Sequence, residues 1–301
     1  MTINDYLSKV LASQSLGDES DELKTLQGHR ADVEKLLCAH FKDSSPTIRY
    51  AGSKAKGTMN RESYDLDIIC YFASGDSSAG DTLQDIYKNT QKALEKDFLV
   101  EPRGSALRLK SRNEKTLGVD FHIDVVPGRF TDDSKTDVFL YQSSGDKERL
   151  KTNLDVHIKH VKESGVIDAI RLAKLWKVRN GLPIRTFVLE LAVIKLLKEK
   201  TTLELSGQME HLWKELRDNS ANLCVEDPAN PNGNDLSKEL GDDVKSQLAS
   251  TAKRTLTQID ASGWEAVFGE AENKEKAAKV EVLRRAASVT VAPTRPWLPK
   301  E

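Results

Sequence analysis

The sequence of 301 residues is poor in cysteine, a residue that is typical of several classes of protein. It has three cysteines, Cys38, Cys70 and Cys224, which are odd in number and far apart. Such a set supplies neither a disulfide framework nor a cysteine-rich zinc site. We therefore expect a protein of a reducing compartment, the cytoplasm.

Excess charge, long apolar runs and internal repeats are absent as well. The 45 basic and 47 acidic residues leave a formal charge of -2, without the basic excess of a general nucleic-acid-binding protein. The sequence thus offers no strong evidence for a double-stranded nucleic-acid activator. The most apolar segment, residues 186–197, is interrupted by Glu190 and Lys195, so no membrane span is predicted.

The remaining composition is that of a globular protein, with enough apolar residues, 38%, to build a core. Apolar periodicity predicts helices at residues 3–11, 23–41, 83–98, 154–163, 167–179, 185–200, 205–217, 242–260 and 271–287. It predicts strands at residues 47–51, 65–72 and 116–126, the last ended by Pro127 and Gly128. We place a lobe boundary near Gly145, which gives an α/β lobe at 1–145, including both N-terminal helices, and a helical lobe at 146–301.

The turn after the first predicted strand has the residue types of a phosphate-binding site. Gly52 removes the side chain where a backbone would approach a ligand, and Ser53 is expected to cap a short helix. Free N–H groups at the start of a helix favour an anion. A Gly-Ser pair alone is most often an ordinary turn, so the prediction depends on the residues that come after it in the chain.

Paired carboxylates lie just after this turn, within the next predicted strand. Asp65 and Asp67 are two residues apart, so both side chains project from one face of a strand. Adjacent carboxylate oxygens are ligands that suit Mg²⁺. On the later strand, Asp120 and Asp124 both face away from its apolar side, and either could supply a third carboxylate.

The combination resembles the nucleotidyltransferase fold of DNA polymerase beta. More closely, residues 52–58 with Asp65-Leu66-Asp67 resemble the oligoadenylate synthetases and the CD-NTases, which are bacterial enzymes similar to cyclic GMP-AMP synthase. The resemblance implies a mixed-sheet catalytic lobe, a C-terminal helical lobe and an active site in the cleft between them. Residues 123–127 are similar to the strand of the third aspartate, which selects Asp124 and leaves Asp120 in a supporting role.

The resemblance extends into the helical lobe. Residues 170–176 look like the helix whose lysine, here Lys174, reaches the triphosphate. Residues 186–191 resemble a segment in which Thr186 would bind phosphate and Phe187 would stack on a nucleobase. Lys56 is a further candidate for phosphate binding. The loop at residues 226–234 resembles an Asp-Pro-x-x-Pro-x-x-Asn loop of the oligoadenylate synthetase-like branch.

The family resemblance implies a function. Asp65, Asp67 and Asp124 would hold two Mg²⁺ ions, or Mn²⁺, and ATP or other nucleoside triphosphates would be joined into a cyclic or short linear oligonucleotide. The expected partners are the nucleotides and a separate effector protein that responds to the product in antiphage defence. We expect the enzyme to act as a monomer.

Two alternatives stay open on the sequence. A transferase of the same fold could add a nucleotide to RNA, an antibiotic or a protein. A nucleotide-binding regulator without catalysis is the other alternative, and the three intact aspartates argue against it.

Overall fold

A single mixed sheet of seven strands lies in the N-terminal half of the residues that the computed structural model describes, 1–16, 20–111, 123–143 and 148–270. The strands are β1 (Thr47–Tyr50), β2 (Leu66–Phe72), β3 (Phe98–Arg103), β4 (Ala106–Ser111), β5 (Ile123–Phe130), β6 (Val138–Tyr141) and β7 (Arg149–Thr152). Their order is β1-β2-β5-β4-β3, with β6 paired to β5 and β7 to β6.

Helices lie on this sheet and make up the C-terminal half. They are α1 (Ile3–Ser13), α2 (Asp21–His40), α3 (Gly52–Lys56), α4 (Leu83–Leu94), α5 (Leu154–Lys162), α6 (Ile167–Arg179), α7 (Thr186–Leu197), α8 (Leu205–Asn219), α9 (Asp242–Ser262) and α10 (Glu265–Phe268). Short 3₁₀ turns at Ser220–Asn222 and Ser237–Leu240 join α8 to α9. The predicted α/β lobe followed by a helical lobe is confirmed.

The centre of the sheet is the parallel pair β2 and β5. Asp67 is the register partner of Asp124. On the opposite face of β2, Ile68, Cys70 and Phe72 are buried in the core with residues of α2 and α4. The continuous apolar run of β2 suits a central strand, because both of its faces are covered.

The sequence prediction for the end of β5 was wrong. The strand continues through Pro127 and Gly128 to Phe130. Residues 126–128 pair with β2 alone, since β4 pairs with Ile123–Val125 and β6 with Arg129–Phe130. A proline is tolerated where one side of a strand has no neighbour that needs its N–H. The predicted first part of this strand, residues 116–122, lies outside the described residues.

The predicted helix at 83–98 was too long. Helix α4 ends at Leu94, and Phe98 begins β3. Phe98 is buried in the same apolar cluster as the residues of α4, so its spacing matched the helix although its backbone is extended. Strands β3, β4, β6 and β7 were not predicted, because each has only 4 to 6 residues, and all but β6 mix polar with apolar residues.

Helix α1 packs in the helical core although the sequence prediction counted it with the first lobe. Tyr6, Leu7, Val10 and Leu11 are buried in one cluster with residues of α6 to α9. The lobe boundary near residue 145 and the helix predicted at 271–287 lie outside the described residues. Among the described helices, none combines the length and apolar character needed to cross a membrane.

Candidate active site

The three predicted aspartates lie at one edge of the β2–β5 pair. Asp67 and Asp124 are register partners on adjacent parallel strands, so their side chains project from the same face of the sheet. Asp65 comes two residues before Asp67 and is exposed, while the other two are partly buried. The acidic groups of this cluster therefore come from two separate segments, as the sequence predicts. Asp120, the predicted supporting residue, lies outside the described residues.

Asp67 experiences strong electrostatic repulsion at this edge. Burial, together with the charges of Asp124 and Asp65, raises the pKa of Asp67 to about 7, although Lys56 and Lys174 act in the opposite direction. Neighbouring carboxylates that disfavour one another's ionisation are stabilised by a bound cation. The donor set, which consists of carboxylate oxygens, suits Mg²⁺ or Mn²⁺. The residues present thus fit the predicted metal.

Arg108, on β4, contacts the third aspartate and was missed in the sequence. Its Nε donates to Oδ1 of Asp124 at 2.8 Å and its Nη2 donates to Oδ2 at 2.7 Å. The hydrogen bonds to Asp124 raise the pKa of the guanidinium. Within the described ranges, no three acidic, histidine or cysteine side chains are grouped closely enough to hold a metal as they stand. Asp124 is directed towards Arg108.

Gly52 packs its backbone against the Asp67 carboxylate. A Cβ atom at this position would lie 1.6 Å from Oδ2 of Asp67, and the φ angle of Gly52 is +53°. Only glycine combines this backbone conformation with so close an approach. The turn and strand β2 are therefore fitted to each other, which explains why a glycine precedes the acidic pair.

Ser53 does not cap α3 as predicted from the sequence. The N-cap is Ala51, without a side-chain hydrogen bond, and Ser53 is the second residue of the helix. Gly52, with its positive φ, is the first residue of α3, so the helix starts two residues earlier than expected. The hydroxyl group of Ser53 is thereby not committed to capping, and its role in phosphate binding stays a prediction.

A buried ionic network joins the turn to the helical lobe. Glu190, on α7, accepts hydrogen bonds from Lys56 Nζ at 2.7 Å and from Thr58 Oγ1 at 2.8 Å. Lys174 Nζ donates to the backbone oxygen of Thr58 at 2.7 Å and lies 3.7 Å from Glu190. All four residues are buried. Both predicted phosphate-binding lysines therefore have protein partners in this conformation.

The network determines the charges of its members. Burial acts to raise the pKa of Glu190, but Lys56 and Lys174 outweigh burial and hold the pKa below its ordinary value. Burial lowers the pKa of Lys174 to about 8, against the attraction of Glu190. The carboxylate of Glu190 is compensated by two lysines, whereas Asp67 faces two further acids. Sequence reasoning missed Glu190, whose signal was a charge inside the most apolar segment.

Lys177 is a second lysine that the sequence reasoning missed. It lies one turn after Lys174 on α6 and donates from Nζ to Thr186 Oγ1 at 2.9 Å. Burial lowers the pKa of Lys177, while the charge of Asp65 acts to raise it. Lys177 therefore faces the acidic edge of the sheet and contacts the predicted phosphate ligand Thr186. Its helical spacing of three residues from Lys174 was the available signal.

Phe187 lies between charged and aromatic neighbours. Lys56 Nζ lies 4.8 Å from the centre of its ring, and the ring of His157 lies at the same distance in a tilted arrangement. His157 Nε2 is 2.6 Å from Oδ1 of the buried Asp227, which also accepts from Asn234 at 2.7 Å. The 226–234 loop thus holds His157 against the residue predicted to stack on a nucleobase. Sequence reasoning did not assign His157 to this site.

Comparison with known proteins finds similar proteins by sequence and by fold. No family model matches the sequence. A curated relative from Escherichia coli, described as the CBASS oligonucleotide cyclase CdnC, is 26% identical over 206 residues, which are 63% of this chain and 63% of that protein. The match thus spans less than two thirds of the relative. The sequence is thus similar to a bacterial oligonucleotide cyclase.

Solved CD-NTase structures confirm the fold. CdnC of E. coli MS115-1 with ATP has a TM-score of 0.63 at 20% identity, covering 89% of this chain and 98% of that one. The cyclic AMP-GMP synthase DncV of Vibrio cholerae, with the linear intermediate pppA(3′,5′)pG, has a TM-score of 0.60 at 17% identity, covering 90% and 88%. The similarity therefore includes both the sheet and the helical lobe.

Proposed function

We propose that this protein is a CD-NTase, which joins nucleoside triphosphates into a cyclic or short linear oligonucleotide and releases pyrophosphate. The observation that carries the proposal is the pairing of Asp67 with Asp124 on adjacent strands, beside Asp65 and the Gly52 turn. The names of its relatives, an oligonucleotide cyclase and cyclic dinucleotide synthases, support the same reaction.

The three aspartates would hold two Mg²⁺ ions, for which Mn²⁺ is an alternative. Bound metal would supply charge neutralisation for the triphosphate and a lower pKa for the attacking ribose hydroxyl. Burial and the two neighbouring aspartates raise the pKa of Asp67, and a bound cation would favour its charged form, which supports this assignment. ATP and other nucleoside triphosphates are the proposed substrates, in line with the complexes solved for relatives.

Residues from both lobes would hold the nucleotide. Gly52 and Ser53 provide the turn beside the metal site, and Thr186 with Lys177 approaches from the helical lobe. Lys56 and Lys174 would bind phosphate if the nucleotide draws them from Glu190 and Thr58. Phe187 would stack on a base. Positioning of this kind lowers a reaction barrier by holding the two reacting groups in place.

The CBASS name of the E. coli relative supports a proposal for the biological role. We propose that the product is a second messenger in antiphage defence and that a separate effector protein responds to it. The enzyme is expected to act as a monomer.

The proposed reaction is tested with purified protein, the four ribonucleoside triphosphates and Mg²⁺. We expect pyrophosphate release and a small product that phosphatase does not degrade, with its bases and ring size given by mass spectrometry. Nucleotide transfer to added RNA, an antibiotic or a protein, without such a product, would overturn the proposal in favour of another transferase.

A further inference from the structure

Arg108 and the predicted metal draw on the same carboxylates. The guanidinium occupies both oxygens of Asp124, at 2.8 and 2.7 Å. The Nη2 atom that bonds to Asp124 also lies 4.0 Å from Oδ2 of Asp65. One cationic group is therefore placed between the third aspartate and the first. Strand pairing fixes this arrangement, since Arg108 is the register partner of Asp124.

The contact with Arg108 directs Asp124 away from a position in which it could share a metal with Asp65 and Asp67. A forked arginine–carboxylate pair is directional, and both partners are largely shielded, with side-chain exposures of 25% for Arg108 and 16% for Asp124. In the described part of the chain, the three aspartates are not gathered as a ligand set. They are nevertheless neighbours, because Asp67 is the register partner of Asp124 and Asp65 precedes it by two residues. The arginine-bound arrangement and a metal-bound arrangement would therefore differ in the orientation of Asp124.

We propose that Arg108 is a positioning residue that competes with the catalytic metal for Asp124, so that a metal completes its site only when the guanidinium releases this carboxylate. The inference rests on the proposed function, because it takes the three aspartates as metal ligands. The competing cation is a side chain of the protein itself. Assembly of the active site therefore depends on an arriving metal and nucleotide, which separate Arg108 from Asp124.

The test measures Mn²⁺ affinity, by electron paramagnetic resonance, in the presence of a non-hydrolysable ATP analogue. Arg108→Gln is expected to bind Mn²⁺ about tenfold more tightly than the unmodified protein, since the competent orientation of Asp124 is no longer opposed. Arg49→Gln is the matched control and should leave the affinity unchanged. It breaks another forked pair, in which Arg49 lies 3.2 and 2.5 Å from Asp155.

A double-mutant cycle separates competition for Asp124 from a simple change in net charge. In an Asp124→Asn background, Arg108→Gln should change Mn²⁺ affinity by less than about twofold, because the shared carboxylate is gone. A tenfold gain that persists in this background would overturn the proposal. Weaker Mn²⁺ binding by Arg108→Gln would also overturn it, because it would mean that Arg108 supports the metal site.

Two further controls cover a variant that does not fold and a protein that binds no Mn²⁺. If Arg108→Gln does not fold, as judged by thermal unfolding, Arg108→Lys replaces it. Lysine keeps the charge but cannot make the forked contact, so a smaller gain in affinity is expected and an unchanged affinity would contradict the proposal. A protein that binds no Mn²⁺ before any substitution would instead contradict the proposed function, so the two failures are distinguishable.

Discussion

Asp67, at the acidic edge of the β2–β5 pair, and Glu190, in the buried network, have opposite electrostatic surroundings. Asp67 faces two other aspartates, and its pKa is raised to about 7. Glu190 is more deeply buried, yet two lysines hold its pKa below the ordinary value. Burial acts in the same direction on both groups, so the neighbouring charges make the difference.

This difference distinguishes a binding site from a structural connection. A compensated buried charge holds two segments in one arrangement, here the turn after α3 and helices α6 and α7. Carboxylates that repel one another raise the free energy of the protein alone, and a bound cation lowers it again. We therefore assign the three aspartates to ligand binding and Glu190 to positioning. Substitutions in the two regions can break or sharpen this contrast.

The largest effect is expected for Asp65→Ala combined with Asp67→Ala. Loss of two metal ligands should lower product formation by about a thousandfold or more, while the fold is retained. Chromatography of labelled products measures the loss, and circular dichroism checks the fold. Activity near that of the unmodified protein would refute the assignment of the acidic cluster.

The next largest effect is expected for Glu190→Gln, and it concerns stability. Removal of the carboxylate leaves Lys56 and Lys174 without their buried counter-ion, which should lower the free energy of unfolding by about 3 kcal/mol. Urea unfolding measures the change. Glu163→Gln is the control, because its partner Lys159 is 3.9 Å away and both side chains are exposed. If the two variants lose equal stability, Glu190 does not hold the segments together.

Asp67→Asn should change the stability of the protein in the opposite direction to Glu190→Gln. Because the pKa of Asp67 is raised from 3.8 to about 7, the folded protein binds this proton more tightly than the unfolded chain. Its contribution to stability is therefore present at low pH and is lost as the pH rises towards 7. Without metal, the variant should be more stable by roughly 2 kcal/mol at pH 8 and by much less at pH 5. Thermal unfolding in EDTA measures the difference, and destabilisation at pH 8 would contradict it.

The smallest effect is expected for Lys177→Gln. Loss of the charge beside Thr186 and the acidic edge should raise the KM for nucleotide about tenfold, since charge-assisted contacts to phosphate are lost. Lys214→Gln is the control, because Lys214 pairs on the surface with Glu210. Steady-state kinetics gives the KM of both variants, and equal values would mean that Lys177 does not bind the nucleotide.

The sequence predicted the acidic cluster well because its signals are local. Asp65 and Asp67 share a strand, and the glycine turn precedes them closely in the chain. Helices α6 and α8 were predicted closely for a similar reason, since apolar periodicity is continuous along them. The fold class could be predicted from the order of these elements and from the family resemblance.

The partners of the charged groups could not be predicted. Arg108 meets Asp124 only because β4 pairs with β5, and the short alternation of β4 does not show which strand it joins. Glu190 meets Lys56 across 134 residues of sequence, a contact that depends on the packing of the lobes. Helix α1 carries a regular apolar stripe, but the stripe does not say which core it joins.

The most direct test of the assignment is a crystal structure with Mn²⁺ and a non-hydrolysable ATP analogue, in which anomalous scattering locates the metal. We predict two Mn²⁺ ions bound by Asp65 and Asp67, one of them also by Asp124, with the phosphates beside Gly52 and Ser53. Anomalous peaks away from all three aspartates, with the nucleotide bound elsewhere, would contradict the account.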